Sequence, residues 1–194
     1  RDMNAVPRTH SLFALSLLIL LHFNRIFGQS DCIEQQKLSL LQLKTDLKYL
    51  SHHSTKLIQW NQSTNCCKWM GVSCNIYGAV VALDLSDESI FDGLDHSTAL
   101  SSLSSLQSLD LSRNFFISQK IPSSIHKLTA LTELRMSSSN LSGPINESLS
   151  NLRFLSNFYI DGNIFQTPIP LFLANFSSMR TMFLNNSFWI GEFP

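Results

Sequence analysis

The sequence predicts an α/β repeat solenoid: a right-handed superhelix with a parallel β-sheet on its concave face and a disulfide-stapled helical cap at its N-terminal end. Three observations carry that expectation. Apolar residues recur on a grid of 24 or 25 positions, all four cysteines fall between residues 32 and 74, and a short apolar run opens the chain. Composition agrees with a folded, uncharged scaffold. Of 194 residues, 44% are hydrophobic and 14% charged, with 14 basic against 14 acidic. That balance excludes a basic nucleic-acid binder and an acidic tail, and the apolar content excludes a disordered chain.

The first segment is residues 1–30. Arg8 precedes the apolar run Ser11 to Phe23, and Asn24 and Arg25 close it. The run is short for a bilayer span, which needs roughly 20 residues. A basic flank, a short apolar stretch and small residues after it predict a secretory signal peptide, cleaved near Gly28 or Ser30. A signal anchor or a buried helix is the competing reading. Removing the leader leaves 11 basic and 13 acidic residues, a formal charge of −2. Secretion also places the cysteines where disulfides persist.

Residues 31–75 read as a cap, which a solenoid needs because its end exposes apolar core. Asp31 is a predicted N-cap for a helix over Ile33–Leu50, with Glu34 in the first turn. Ile33, Leu38, Leu41, Leu43, Leu47 and Leu50 form its predicted apolar face. Trp60 and Trp69 are the predicted cap core. Cys32, Cys66, Cys67 and Cys74 allow three pairings, and joining the neighbours Cys66 and Cys67 would close a strained ring. A zinc site is disfavoured, since His52, His53, His96 and His126 do not repeat at metal spacing. No C-x-x-C spacing suggests redox chemistry. No metal or cofactor is expected.

Residues 76–194 hold about five repeats. Leu103, Leu106, Leu109, Leu111 and Asn114 set the grid. Leu128, Leu131, Leu134, Met136 and Ser139 repeat it, followed by Leu152, Leu155, Phe158, Ile160 and Asn163. Phe176, Met179, Met182, Leu184 and Ser187 form the last copy, and Val80, Leu83, Leu85 and Glu88 a looser first one. This is the leucine-rich-repeat signature. Each L-x-L step is a short strand with both apolar residues turned inward. The Asn position after it supplies a side chain that can satisfy backbone groups of the next turn, forming a ladder. The repeats then close on Ile121-Pro122, Ile169-Pro170 and Phe193-Pro194, or on Gly143-Pro144-Ile145 with Asn146. Proline neither donates to a ladder nor sits inside a helix, so the convex side should hold extended segments and short helical turns. The second copy carries one extra residue before Ile121.

The I-P repeats resemble the plant-specific leucine-rich repeat. Together with the cap and leader, they resemble the amino-terminal part of a plant leucine-rich-repeat receptor-like protein. The stretch from Glu34-Gln35-Gln36 to Cys74, Glu147-Ser148-Leu149-Ser150 and Phe172-Leu173-Ala174-Asn175-Phe176-Ser177 are similar to the wilt disease resistance type of that family. The resemblance implies disulfides Cys32–Cys66 and Cys67–Cys74, worth roughly 4 and 2.5 kcal/mol in the chain-entropy model. It also implies a non-catalytic extracellular segment that reads a peptide or protein ligand, microbial or self, at the plasma membrane. A co-receptor kinase and a membrane span would act through regions not present here. The chain stops at Pro194 without a second cap, which leads us to expect a fragment or truncated product.

The predicted concave wall has one column reading Asp84, Asp110, Arg135, Tyr159, Phe183 and a flanking one reading Asp87, Arg113, Ser138, Gly162, Asn186. Asp110, Arg113, Arg135, Tyr159 and Phe183 are the ligand-binding candidates, aromatic and arginine side chains being enriched at interface hot spots. The plain alternative is an aromatic pair stacking across strands. N-x-S sequons at Asn61, Asn140, Asn146, Asn175 and Asn185 are candidate N-glycosylation sites. The repeat register places Asn185 on the concave strand, where a glycan would obstruct the wall beside Phe183. No nucleophile elbow, phosphate loop or Ser/His/Asp grouping suggests catalysis. A secreted polygalacturonase-inhibitor-like protein and a receptor-kinase ectodomain share the same cap and repeat type and are the alternative functions.

Overall fold

The computed structural model describes residues 30–95 and 97–191. The predicted leader, His96 and Phe193-Pro194 lie outside the described residues. Helix α1 spans Glu34–Asp46 and is followed by strand β1, Lys48–Tyr49. Strands β2 (Val72–Cys74), β3 (Val80–Asp84) and β4 (Ile90–Asp92) come next. The repeats then contribute β5 (Ser108–Asp110), β6 (Glu133–Arg135), β7 (Asn157–Tyr159) and β8 (Thr181–Phe183). Among the described residues, no helix is long and apolar enough to cross a membrane.

The main sheet runs β2-β3-β5-β6-β7-β8. It is parallel from β3 to β8, while β2 pairs antiparallel with β3. Register is one repeat per strand: Leu83, Leu109, Leu134, Phe158 and Met182 lie side by side. The first four are buried, as are Leu85, Leu111, Met136 and Ile160 two residues on, because alternate strand residues share a face. The convex side holds 3₁₀ segments, Leu100–Ser102, Ser123–Lys127, Glu147–Asn151 and Leu171–Asn175. Three of the four follow Pro122, Asn146 and Pro170, which start them with extended backbone. The extra residue of the second copy falls between Phe116 and Gln119, and Gln119 turns left-handed at φ 56° two residues before Ile121, as Gly143 does at φ 71° before Ile145.

The residue after each L-x-L turn forms the ladder that the repeat grid predicts, but it reaches back to the preceding unit. Glu88, Asn114, Ser139, Asn163 and Ser187 are all buried, with at most 4% of their surface exposed. Each bonds the unit before it. Asn163 donates to the carbonyls of Met136 (3.0 Å) and Ile160 (2.7 Å) and accepts from the backbone N–H groups of Ser139 and Leu141, both at 3.0 Å. Asn114 donates to Leu85 and Leu111 and accepts from Ile90, each at 2.9 Å. Ser139 and Ser187 reach back with one hydroxyl, to the carbonyls of Leu111 and Ile160 at 3.0 Å. Glu88 has no repeat before it, and its carboxylate clamps the cap instead. It accepts from the Ser54 hydroxyl, the Thr55 hydroxyl and the backbone N–H groups of Thr55, Lys56 and Leu57.

The cap differs from the sequence expectation in two ways. The pattern predicts a helix over Ile33–Leu50 capped by Asp31. In the structure Ile33 holds the N-cap position with no side-chain bond, and Leu47 is already extended at ψ 135°. Asp31 accepts instead from the Asn65 amide at 2.8 Å. The buried stripe is also displaced: Leu38 is 45% and Leu50 43% exposed, while Gln36, Ser39, Leu40 and Leu43 face inward. The reason is Gln36, whose amide accepts from Val80 N–H at 2.7 Å and donates to Ser105 at 2.9 Å. A polar residue thus joins α1 to the repeats. The expected tryptophan core is present: Trp60 and Trp69 stack at 5.4 Å, and their indoles donate to the Met70 carbonyl and the Thr64 hydroxyl. Disulfides join Cys32 to Cys66 and Cys67 to Cys74, with Cα separations of 5.5 and 5.4 Å. The four sulfurs lie within 4.8 Å of one another, but bonded in pairs they offer no thiolate to a metal.

A second line of pairing was not legible in the repeats. β1 pairs antiparallel with β4, and the backbone continues through Phe115 to Ile90, Ile117 to Phe91 and a bridge between Ser142 and Ile164.

Two outcomes follow from the cap. Burial raises the pKa of the Glu88 carboxyl, but hydrogen bonds from Ser54 and the backbone of Leu57, Lys56 and Thr55 outweigh it and hold the pKa below the usual carboxylate value. A depressed folded pKa gives stability that is present above the unfolded value, near 4.3, and is lost as pH falls through the folded one. Glu88→Gln should therefore cost on the order of 3 kcal/mol at neutral pH and flatten the acid limb of a stability–pH curve measured by denaturant melts. Cys32→Ser should cost about 2–5 kcal/mol; an unchanged thermal midpoint would contradict the stapled cap.

Candidate functional site on the concave face

The register places one concave residue per strand in a row: Asp84, Asp110, Arg135, Tyr159 and Phe183. The structure therefore brings four of the five predicted ligand-binding residues into one column. Three of them form a continuous stack. The Arg135 guanidinium lies 4.2 Å from the centre of the Tyr159 ring, and that ring stacks on Phe183 at 5.2 Å with a 14° tilt. An exposed cation–π contact contributes about 0.5–1 kcal/mol and an aromatic pair about 0.5–1.5 kcal/mol. The stack is thus stable without a ligand and holds its rings pre-oriented. Phe183 leaves 47% of its surface exposed.

Glu133 completes the arrangement, and the repeat grid does not single it out. It sits two residues before Arg135 on the same strand face and bonds its guanidinium at 2.9 Å. That bond, together with the Glu133 charge, pushes the Arg135 pKa further up. Ser108 donates to the other side of the same carboxylate oxygen at 3.2 Å. Arg135 is therefore anchored from below by Glu133 and from the side by Tyr159.

The N-terminal end of the column is acidic. A recess of about 400 Å³ is lined by Gly71, Ser73, Asp84, Ser108, Asp110 and Glu133. Asp84 is not free within it. Lys56 reaches over from the cap, bonds its carboxylate at 2.8 Å and also donates to the Ser86 carbonyl. Burial raises the Asp84 pKa, but bonds from Lys56 and Ser86 and the Lys56 charge bring it below the ordinary value. Asp110 accepts the Ser112 N–H at 2.8 Å and has no ion-pair partner among the described residues. Gly71 keeps the recess floor flat: its φ is +84°, and a Cβ there would strike the Asp84 carbonyl.

The flanking column is not a strand face. Asp87, Arg113, Ser138, Gly162 and Asn186 all have left-handed backbone, with φ between 52° and 66°. They form the turn that follows each strand, where Gly and Asn are favoured. Arg113 therefore stands apart from the stack and pairs with Asp87 at 2.6 Å, both side chains exposed. Asn185 is likewise in the turn beyond β8 rather than on the strand, with its carbonyl accepting from Gly162. It sits on the rim of the wall, one residue past Leu184. Asn61, Asn146 and Asn175 are exposed, and Asn140 is half-buried.

Comparison with known proteins agrees with this architecture. The family model described as Leucine rich repeat N-terminal domain matches residues 33–75, and the Leucine Rich Repeat model matches residues 105–128 and 130–152. Receptor-like protein 50 of Arabidopsis thaliana is 32% identical over 159 residues, which cover 78% of this chain and 17% of the relative. Receptor-like protein 6 of the same plant is 29% identical over 181 residues, covering 79% of this chain and 18% of that protein. The chain thus spans less than a fifth of the length of these relatives. A solved BIR3–SERK2 complex from Arabidopsis thaliana matches with a TM-score of 0.69 and 28% identity, over 81% of this chain and 84% of the matched one. Cap, in-register sheet and polar ladder, together with these matches, show that the chain belongs to the leucine-rich-repeat family, with plant receptor-like proteins as its relatives.

Proposed function

We propose that this chain forms part of the extracellular ligand-reading domain of a plant cell-surface receptor-like protein, acting by binding rather than by catalysis. The observation that carries this reading is the pre-oriented stack of Arg135, Tyr159 and Phe183 beside an acidic recess. A rigid aromatic and guanidinium surface is the kind that anchors interface partners. The recess ends in Asp110, which makes no salt bridge among the described residues and whose charge acts on Arg113 and Arg135. The ligand that fits is a peptide or protein segment with a basic group over Asp110 and an apolar or aromatic side chain on Tyr159 and Phe183.

Relatives named as receptor-like proteins support an extracellular or secretory location, as do two disulfides, which persist in oxidising compartments. A role in pathogen perception follows from the same resemblance. Five parallel strands spaced ~4.8 Å apart, mostly three residues long at ~3.3 Å per residue, offer roughly 240 Å². A standard interface takes about 800 Å² per partner. This face therefore contributes part of a recognition site, and a co-receptor would engage surfaces outside it.

A random peptide library displayed on phage, selected against the secreted chain, tests the assignment. Selected peptides should pair a basic residue with an aromatic one and lose about tenfold or more in affinity to Tyr159→Ala, a loss of about 1.4 kcal/mol. Arg135→Ala should weaken the same peptides. Peptides whose affinity is indifferent to both substitutions would remove the concave stack as the reading surface.

A further inference from the structure

A second recess, of about 580 Å³, opens where the convex segments Ser123–Lys127 and Glu147–Asn151 lead back toward β6 and β7. Its volume falls within the roughly 300–1,000 Å³ range of ligand sites. Its lining is His126, Lys127, Thr129, Asn151, Arg153 and Phe154, with no carboxylate among them. All but His126 are exposed, and Phe154 leaves 63% of its surface open.

The fold does not require these side chains. Phe154 stands two residues after Leu152, where the other copies carry Ser105, Ala130 and Ser178. Arg153 takes a position held elsewhere by Ser104, Thr129 and Ser177, and Lys127 one held by Ser102, Asn151 and Asn175. Nor are the groups committed to neighbours. Lys127 and Arg153 make no salt bridge among the described residues. No hydrogen bond among the described residues engages the side chain of Lys127, Thr129, Asn151 or Arg153. The positive row continues into the next repeat. The Ser178 hydroxyl donates to the Arg153 carbonyl at 3.0 Å, and exposed Arg180 stands just ahead of β8. A lone exposed phenylalanine needs no explanation. One flanked by two unpaired cations and two unengaged hydrogen-bonding groups does.

Each group selects a different feature of a ligand. The ammonium and guanidinium suit carboxylates, the guanidinium by two-point bonding. The Asn151 amide and Thr129 hydroxyl both donate and accept, which suits neighbouring hydroxyls. The open Phe154 ring suits a flat apolar surface. A carboxylated pyranose carries all three features in one unit: a C–H face, hydroxyls and a carboxylate. An acidic peptide satisfies the cations and leaves Phe154 uncovered.

We propose that this recess binds an acidic polysaccharide, a chain of pyranose rings bearing carboxylates. Phe154 packs on the C–H face of one ring, Asn151 and Thr129 bond its hydroxyls, and Lys127 and Arg153 pair with carboxylates. Arg180 meets the chain as it runs on. The site shares no residue with the concave column, so it stands whether or not that column reads a peptide.

The secreted full chain is titrated calorimetrically with oligogalacturonate, with its methyl ester and with polyglutamate. Oligogalacturonate should bind, with an affinity that falls as salt rises. The ester keeps the rings without the charge, and polyglutamate keeps the charge without the rings. Each should bind about tenfold or more weakly. Phe154→Ala and Arg153→Gln should each weaken oligogalacturonate about fivefold at an unchanged thermal midpoint. Lys127→Gln repeats the test at a third exposed position, and Tyr159→Ala should leave the affinity unchanged. Absence of binding, or an affinity indifferent to all three substitutions in the recess, would overturn the proposal. Polyglutamate binding as tightly as oligogalacturonate would also overturn it and make the recess an acidic-peptide contact.

Discussion

The stacking of the described repeats depends on a buried side chain that reaches back one unit from the turn after each strand. A solenoid repeat cannot bury its own apolar face, so it is stable only when stacked on a neighbour. Apolar stacking alone is non-directional and would tolerate slippage. The rungs Asn114, Ser139, Asn163 and Ser187 remove that freedom, because each must meet specific backbone groups of the preceding repeat. A rung displaced by one residue would leave buried amides and carbonyls unpaired, at about 1–3 kcal/mol each. Glu88 extends the same logic to the cap, where five donors converge on one carboxylate.

The concave column is a direct result. Because the rungs hold the strands in register, residues in equivalent positions stand side by side about one strand spacing apart. Arg135, Tyr159 and Phe183 meet for that reason and need no loop to gather them. The cap contributes to the same face. Lys56 is held by its own backbone bond to Glu88 while its side chain neutralises Asp84. With Asp84 paired to Lys56 and Glu133 to Arg135, Asp110 is the carboxylate of the column that makes no salt bridge among the described residues.

Much of this was legible in the sequence. The 24- and 25-residue grid gives the strands, their register and the buried leucines, and the resemblance gives the disulfide pairing. Glu88 was legible as a residue at the asparagine position but not as a clamp, because its donors come from Ser54 to Leu57, outside the repeat. Apolar counting misplaces the buried face of the helix. Gln36 occupies the buried face for its hydrogen bonds to Val80 and Ser105, and so Leu38 is left outside. Periodicity alone puts the column beginning at Asp87 on the wall, because it counts positions and is blind to backbone φ, which there is left-handed. The repeat does not mark Glu133, whose role depends on Arg135, a neighbour on its own strand.

Residue-resolved amide hydrogen exchange tests the central claim most directly. The backbone N–H groups of Ile90, Ser139 and Leu141 belong to no strand of the main sheet, and each is held by a buried asparagine. The account predicts that they exchange as slowly as the amides between β5, β6 and β7, opening only with global unfolding. Exchange at the rate of the exposed turn amides, with the sheet still protected, would show that the rungs do not hold the repeats together.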